Sequence, residues 1–362
     1  MTSLPLQNVK VLDLSRILAG PLCTMLLGDL GADVIKIERP GRGDDTRGWG
    51  PPFDQRGESA YFLSCNRNKR SLTADLTNPA DVQLVSELAG AADVVVDNFL
   101  PGALGRLGLD ADQILARNAH LVWCTIGGFP DQPMRPGYDF VVQAESGWMS
   151  VTGDAEGRPL RTAVALIDVL TGKDAAIAIL AALVGRERRS AIERRLTVTL
   201  AGTAVAALAN VAQNALVSGQ EAARWGNAHA NLVPYQLFDT ADRPIVIAVG
   251  SDTQWAAFVA MLGDPALSGD ERLATNAGRV VNRDSCVSAV QAALRTAGAS
   301  EWAARCLRVG VPVGEVRTVL EALSQVAASP LTGVPSSVGG AVRRPPPLLG
   351  EHSAGIRARG WG

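Results

Sequence analysis

The stretch that decides the fold is VKVLDLSRILAGPLCTMLLGDLGADVIKI, residues 9–37. Val9–Leu14 alternates between apolar and polar residues, which is typical of a β-strand. The next apolar run, Leu22–Leu30, has helical spacing, and Pro21 suits the first turn of that helix. A second apolar stretch, Asp33–Ile37, follows one turn residue after Gly31 and predicts a second strand. The three segments together predict a βαβ unit.

This alternation of strand and helix continues along the first half of the chain. The predicted elements are the strand Ser71–Leu76, the helix Pro79–Ala89, the strand Val94–Val96, the helix Ala111–Asn118 and the strand Leu121–Ile126. Such a series predicts an α/β fold with a Rossmann-like, mostly parallel sheet and helices on both faces. After about residue 220 the pattern changes to a hairpin, Tyr235–Phe238 and Pro244–Val249, followed by helices. We therefore expect a large α/β domain, residues 1–220 completed by 325–362, and a small α+β domain, residues 221–324 with its linkers.

Composition excludes several classes of protein. The chain has 362 residues, 47% of them hydrophobic, and a formal net charge of −2, which argues against a nucleic-acid partner. No apolar run approaches the roughly 18 residues of a membrane span, so no membrane association is expected. The first residues lack the basic and apolar regions of a signal peptide, and the five cysteines are scattered, which predicts a cytoplasmic, reduced protein.

Several common catalytic motifs are missing from the sequence. The three histidines lie far apart and no CxxC pair is present, so no metal site is predicted. A serine hydrolase is disfavoured because the chain lacks G-x-S-x-G. A nicotinamide dehydrogenase is disfavoured because the first strand is followed by SRILAGP rather than G-x-G-x-x-G.

One carboxylate, Asp168, stands between the apolar run Val164–Ile167 and a largely apolar helix, Ala175–Val184. The unpaired N–H groups and the dipole at a helix start favour the ionised form of an acid, which would make Asp168 available as a nucleophile. The alternative is a simple N-cap, which is the commoner role of an aspartate at this position. Asp139, after Gly137-Tyr138, opens another predicted helix and has the same two interpretations.

Basic side chains collect in two segments of the first half. The loop Arg39–Arg47 carries three guanidinium groups that could clamp phosphates, although a solvated surface loop explains them equally well. A second basic cluster, Asn66–Ser71, precedes a predicted strand and favours the phosphate interpretation. Asn98-Phe99 follows the end of another strand, where ligands bind in open α/β sheets, and Arg106 lies less than two turns further on.

Together these segments resemble the family III CoA-transferases, of the formyl-CoA and carnitine CoA-transferase type, over nearly the whole chain. The matching motifs are LDLS (12–15) with AGP (19–21), GADVIKIERPG (31–41), NKRS (68–71), NF (98–99) with PG (101–102), GNAH (226–229), VPY (233–235) and PPLLGEH (346–352). As a set they are highly specific for this family.

The resemblance implies a mechanism, a binding site and an assembly. Asp168 matches the family's nucleophile, which attacks an acyl-CoA to form an aspartyl anhydride and then an aspartyl-CoA thioester, from which an acceptor acid takes the CoA. Asp139 matches a supporting acid. The residues implied for the CoA site are Leu18, Ala19, Arg39, Lys69, Asn98, Phe99, Arg106 and Tyr138. The family also implies an interlocked, ring-like homodimer and no tightly bound cofactor, with acyl-CoA and a small carboxylic acid as the substrates.

We therefore predict an acyl-CoA:carboxylate CoA-transferase, with succinyl-CoA as a candidate donor. One alternative is a 2-methylacyl-CoA racemase, but racemases of this family have a histidine base directly before the aspartate, and this chain has Tyr138 there. A phenol is a poor proton acceptor near neutral pH, which favours transfer. Another alternative is a catalytically silent CoA-binding protein, because Arg188–Arg195 departs from the family's Gly-x-Gly-Gln turn.

Overall fold

The computed structural model describes residues 4–188, 193–325 and 338–362. Its main element is a six-stranded, entirely parallel sheet in the order β3-β2-β1-β4-β5-β6. The strands are β1 (Lys10–Asp13), β2 (Asp33–Glu38), β3 (Lys69–Thr73), β4 (Val94–Asp97), β5 (Val122–Gly127) and β6 (Arg195–Thr199). This confirms the predicted α/β class and its parallel sheet.

Helices cover both faces of this sheet. The α-helices between residues 19 and 218 are α1 (Ala19–Asp29), α2 (Ala60–Ser64), α3 (Pro79–Gly90), α4 (Ala103–Arg106), α5 (Ala111–Arg117), α6 (Asp139–Glu145), α7 (Trp148–Val151), α8 (Leu166–Glu187), α9 (Leu200–Ala207) and α10 (Ala209–Ser218). One buried core packs α1 and α8 against one face of the sheet, and a second core packs α3 and α5 against the other. Burial on both faces explains why the central strands are apolar at nearly every position.

The strand order reverses between β1 and β4, since β1 continues to β2 on one side and β4 to β5 on the other. Open α/β sheets bind ligands in the crevice beyond the carboxyl ends of the strands at such a switch point. The segments that follow these two strands begin with Leu14 and Asn98. They are therefore the first place to look for a site.

Element boundaries differ from the sequence-based expectation in two informative places. The apolar, alanine-rich sequence of Leu200–Val217 predicts one helix, but the chain bends by 70° between α9 and α10, where Ala209 has a positive φ of 45°. Strand β3 begins at Lys69 rather than Ser71, because Lys69 and Arg70 pair with Val34 and Ile35 of β2. The buried aliphatic stems of cations can belong to a strand even when their charges suggest a loop.

The chain divides into two compact units. The first comprises the described parts of residues 1–149, 161–221 and 329–362, and the second comprises the described parts of 150–160 and 222–328. The short segment 150–160 thus clusters with the second unit, whereas the sequence analysis placed it in the large domain. Among the described residues no single helix is long and apolar enough to cross a membrane, and one bent pair, α9 with α10, meets those criteria by length and composition alone.

The second unit has its own antiparallel sheet and its own core. The sheet has the order β7-β8-β9, and the core includes Trp255, Phe258 and Trp302. Its elements are β7 (Tyr235–Phe238), β8 (Ile245–Ala248), α11 (Asp252–Leu262), α12 (Pro265–Ser268), α13 (Asn276–Val281), α14 (Arg283–Leu294), α15 (Ala299–Arg308), β9 (Val313–Glu315) and α16 (Val319–Gln325). The predicted hairpin, β7 and β8, is present.

The C-terminal segment returns to the first unit and ends in α17 (Ser353–Arg359). Arg47 connects it to the loop that follows β2. The Arg47 guanidinium donates to Glu38 and Glu58, at 2.8 and 2.7 Å, and to the carbonyl oxygen of Pro347 at 3.2 Å. The loop 39–58 is therefore held between the sheet and residues near the end of the chain.

Candidate active site

Asp168 is the third residue of α8 and lies in its first turn. The N-cap position is Ala165, which has no capping side chain, so the alternative interpretation, in which Asp168 itself caps the helix, is wrong. The start of α8 lies close to the segment after β1, because a Cβ on Gly172 would lie 2.6 Å from the carbonyl oxygen of Ala19. Only a glycine permits this close approach of α8 to Ala19.

The cap of α8 comes instead from Asp139, the first residue of α6. Its Oδ1 accepts from the backbone N–H of Ile167 at 2.7 Å and of Asp168 at 3.2 Å. Its Oδ2 accepts from Nε2 of Gln143, a fully buried glutamine, at 2.6 Å. All these contacts use the carboxylate as an acceptor. Asp139 is therefore placed behind the nucleophile helix as a positioning residue rather than facing a ligand.

Burial raises the pKa of Asp168 to about 7, with a further contribution from the negative charge of Asp139. The sequence analysis expected the helix start to favour the ionised form, which is wrong for this environment. Desolvation disfavours a carboxylate charge, and a neighbouring carboxylate adds to that effect. Tyr61 lies in the same environment, and its pKa is raised to about 12, first by burial and then by Asp168.

The segments after β1 and β4 are joined across the switch point. Asn98 accepts the backbone N–H of Arg16 at 3.0 Å and donates its side-chain amide to the Arg16 carbonyl at 2.8 Å. The next residue, Ile17, has a φ of +75°, a strained value for a β-branched side chain. Its N–H contacts the buried carboxylate of Asp44 at 3.3 Å. This backbone conformation places Leu18 and Ala19 on the cavity described next.

A cavity of about 590 Å³ lies at this edge of the sheet. Seven of the ten predicted site residues line it: Leu18, Ala19, Asn98, Phe99, Arg106, Tyr138 and Asp168. Its further lining includes Arg16 and the segment Gly128–Gly137, whose two terminal glycines approach so closely that a Cβ on Gly137 would lie 2.4 Å from the Cα of Gly128. The structure thus brings the nucleophile candidate and most of the predicted binding residues to one cavity.

A smaller cavity of about 230 Å³ adjoins the first and shares Arg16 and Phe99 with it. Arg39 lines this second cavity. Its guanidinium contacts Asp45 at 3.0 Å, and Asp45 also contacts Arg42 at 3.1 Å and Arg16 at 3.4 Å. Three cations therefore surround a single carboxylate, and the Nε–H of Arg16 is buried without a hydrogen-bond partner among the residues that the structure describes. The group formed by Arg16, Arg39, Arg42 and Asp45 therefore has an excess of positive charge beside both cavities.

Lys69 is the predicted binding residue that the structure does not bring to the cavities. Its side chain is fully buried, and its ammonium contacts Asp13 at 3.0 Å, the carbonyl of Pro21 at 2.8 Å and Asn66 at 2.8 Å. Every donor is occupied inside the protein, so a phosphate contact by Lys69 is wrong for this structure. The basic run at residues 67–70 reflects a buried ion pair beneath α1 rather than a ligand site.

Two further expectations concern the altered turn Arg188–Arg195 and metal binding. Residues 189–192 of the altered Arg188–Arg195 turn lie outside the described residues. Across ranges 4–188, 193–325 and 338–362, no group of three metal-ligating side chains lies together.

Three residues of this site are not identified from the sequence. Arg16 and Asp45 line the cavity, and Gln143 contacts Asp139. Arg16 and Asp45 could have been found, since one follows the first strand and the other stands in the arginine-rich loop. No sequence signal identifies Gln143, because its two hydrogen bonds from Thr162, 19 residues away, depend on the fold.

Comparison with known proteins agrees with this geometry. The family model "CoA-transferase family III" matches residues 6–353. The chain belongs to CoA-transferase family III. The mouse succinyl-CoA:glutarate CoA-transferase is 41% identical over 97% of this chain and 85% of its own length. The Agrobacterium fabrum succinate–glutarate CoA-transferase is 37% identical over 98% of this chain and 95% of its own length.

Solved structures of this family have the same fold. A CAIB/BAIF family protein from Brucella suis superposes with a TM-score of 0.84 at 37% identity, covering 99% of both chains. Rv3272 from Mycobacterium tuberculosis superposes with a TM-score of 0.83 at 32% identity, covering 98% of this chain and 99% of its own. Family membership and fold are thereby confirmed over the full length.

Proposed function

We propose that this protein transfers CoA from an acyl-CoA to a free carboxylic acid, with Asp168 as the nucleophile. The observation that carries the proposal is the placement of Asp168. It is a half-buried carboxylate at the start of α8 that opens on the 590 Å³ cavity at the switch point of the sheet. Named relatives at 37–41% identity transfer CoA between succinate and glutarate, which supports the same reaction class here.

The chemistry suits a carboxylate nucleophile. Ionised Asp168 attacks the thioester carbonyl, the C–S bond breaks, and CoA leaves as a thiolate while an aspartyl anhydride forms. The thiolate then attacks the Asp168 carbonyl carbon and releases the donor acid, which leaves an aspartyl-CoA thioester. The acceptor carboxylate reverses these steps. Because the pKa of Asp168 is near 7, a large fraction is ionised at neutral pH and its basicity exceeds that of an ordinary aspartate.

The two adjoining cavities fit the two ends of CoA. The reactive end belongs beside Asp168, between Leu18-Ala19 and Tyr138. The phosphates belong beside the group formed by Arg16, Arg39, Arg42 and Asp45, where three guanidinium groups exceed one carboxylate. Guanidinium groups bind phosphate oxygens through paired N–H donors. Arg106, on the larger cavity, adds another cation.

Succinyl-CoA as donor and glutarate or another dicarboxylic acid as acceptor are the substrates that the relatives suggest. A homodimer is also proposed, and its support is the exposed apolar surface of the first unit, including Ile177, Val205 and Leu216. Cytoplasmic location stays a prediction.

The test is a steady-state assay with succinyl-CoA and a series of C4–C6 dicarboxylic acids. We expect CoA transfer with ping-pong kinetics, and no transfer by Asp168→Asn under the same conditions. Trapping with hydroxylamine or borohydride during turnover should label Asp168, as mass spectrometry would show. Failure of every acyl-CoA and acid pair, with CoA still bound, would favour the silent CoA-binding protein.

The racemase is separated from the transferase by an isotope experiment. A transferase without a histidine at position 138 should not exchange the α-proton of a 2-methylacyl-CoA with deuterium from the solvent. Rapid α-exchange in the absence of any carboxylic acid acceptor would overturn the proposal in favour of racemisation.

A further inference from the structure

A fully buried glutamine, Gln143, lies behind the nucleophile and uses both ends of its amide. Its Nε2 donates to Oδ2 of Asp139 at 2.6 Å. Its Oε1 accepts the backbone N–H of Thr162 at 3.0 Å and the Thr162 hydroxyl at 3.3 Å. The residue spans one turn of α6 and the segment that leads into α8, so it fixes both elements at once.

The contact with Asp139 continues to the nucleophile. Oδ1 of Asp139 holds the N–H groups of Ile167 and Asp168, so a shift of the Asp139 carboxylate moves the first turn of α8. The N-cap residue, Ala165, has no capping side chain of its own. The contacts Thr162–Gln143–Asp139–Asp168 therefore run from the segment before α8 to the backbone N–H of Asp168.

We propose that Gln143 is a positioning residue for CoA transfer: its amide orients the Asp139 carboxylate, and that carboxylate holds the backbone of Asp168 at the cavity. This inference rests on the proposed function, since it assigns Asp168 as the nucleophile. Gln143 touches no substrate. Its amide also determines which oxygen of Asp139 faces α8, because the other oxygen is held by Nε2.

The first test replaces the amide by an apolar side chain in the full chain. Gln143→Leu should lower kcat for CoA transfer by about tenfold or more, because a hydrogen bond to a charged group is lost, while the affinity for CoA changes less than about twofold. The matched control is Asn118→Leu. Asn118 also uses both ends of a partly buried amide, but at the amino end of β5, away from the cavity. It should reduce stability and leave kcat unchanged.

The second test reverses the polarity of the contact. In Asp139→Asn, one amide oxygen can still cap α8, but the new NH₂ group faces the NH₂ group of Gln143, so transfer should fall. Adding Gln143→Glu gives the amide an acceptor, and the double variant should recover at least about tenfold of the lost kcat. If Gln143 only fills space, the added carboxylate is a buried charge and the double variant should be worse than Asp139→Asn.

A readout without turnover separates this inference from the proposed function. The backbone amide protons of Ile167 and Asp168 should exchange with solvent deuterium about tenfold faster in Gln143→Leu than in the wild type, because the Asp139 carboxylate that accepts them loses the contact that orients it. In Asn118→Leu the exchange of these two amides should stay close to that of the wild type. Wild-type kcat in Gln143→Leu, or wild-type exchange of both amides in that variant, would overturn the inference. Absence of transfer in the wild type would overturn the proposed function alone, and the exchange of the two amides would still decide the role of Gln143.

Discussion

Oδ1 of Asp139 accepts the backbone N–H of Asp168 at 3.2 Å, and the same carboxylate raises the pKa of the Asp168 side chain. One group therefore fixes the main chain of the nucleophile and opposes the ionisation of its side chain. The raised pKa of Asp168 favours catalysis, because a carboxylate with a higher pKa is more nucleophilic once it is ionised. Burial contributes more than Asp139 to the raised pKa.

The first prediction concerns the bond that Asp168 makes. Asp168→Ala and Asp168→Asn should each abolish CoA transfer, while CoA binding measured by calorimetry stays close to that of the wild type. The reason is that, in the proposed mechanism, Asp168 forms a covalent intermediate and the CoA phosphates contact other residues. Transfer by either variant at a rate near that of the wild type would contradict the mechanism.

The pH dependence of transfer provides a second prediction. The value of kcat/KM should rise with pH and level off above about pH 7, because only ionised Asp168 attacks the thioester. In Asp139→Asn the midpoint should move to lower pH, since the repelling charge is gone, but should remain above the ordinary value of 3.8 because burial persists. If the midpoint of the kcat/KM profile is the same in Asp139→Asn as in the wild type, the rise of kcat/KM with pH reports the ionisation of another group.

A third prediction follows for stability. The pKa of Asp168 is raised on folding, so the folded state binds more protons between pH 3.8 and about 7, and stability contributed by the neutral form is lost as pH rises through that window. Asp168→Asn keeps the neutral form at every pH. It should therefore raise the melting temperature at pH 8 and have little effect at pH 4, which calorimetry at the two pH values would measure. Equal effects at both values would mean that Asp168 is not the titrating group.

Arg39 and Lys69, which the sequence did not distinguish, should behave differently. Arg39→Ala should weaken CoA binding about tenfold and reduce its salt dependence, because a charge-assisted phosphate contact contributes about 1.5–3 kcal/mol. Lys69→Met should lower the free energy of unfolding by about 3–5 kcal/mol, because it leaves the buried carboxylate of Asp13 short of a partner.

The control for this pair is Arg56→Ala, an exposed arginine of the same loop that contacts Asp54 rather than Asp45. It should change neither CoA affinity nor stability by more than a small amount. Loss of CoA affinity in properly folded Lys69→Met, with no loss in Arg39→Ala, would reverse the assignment of the two cations.

The fifth prediction concerns the packing that brings α8 to the cavity. Gly172→Ala places a Cβ 2.6 Å from the Ala19 carbonyl oxygen, so α1 and α8 must separate. We expect a lower melting temperature and a lower kcat, because Leu18 and Asp168 move apart. Gly90→Ala is the matched control, since a Cβ there meets no atom within 4 Å. If Gly172→Ala has the kcat of the wild type, the close approach of α1 and α8 is not needed for CoA transfer.

The sequence predicts those features that depend on local pattern. The apolar pattern of residues 9–37 predicts the βαβ unit that begins the sheet. The segments after β1 and β4 indicate which edge of the sheet carries the cavity. Lys69 could not be assigned correctly, because the sequence does not show whether a lysine is buried, and its contacts with Asp13 and Pro21 are made only in the folded protein. The position of Asp168 at a helix start predicts an ionised acid. Its pKa is raised first by burial and then by Asp139, which is 29 residues away, and both effects depend on tertiary structure.

The contact between Arg47 and the Pro347 carbonyl joins residues 300 positions apart in the chain. During synthesis, Arg47, in the loop that presents Arg39 and Asp45, is made 300 residues before Pro347, which helps to hold that loop. A nascent chain therefore has the loop before it has this contact. Affinity for CoA should arise late in folding, and acyl-CoA should act as a ligand that selects completed molecules.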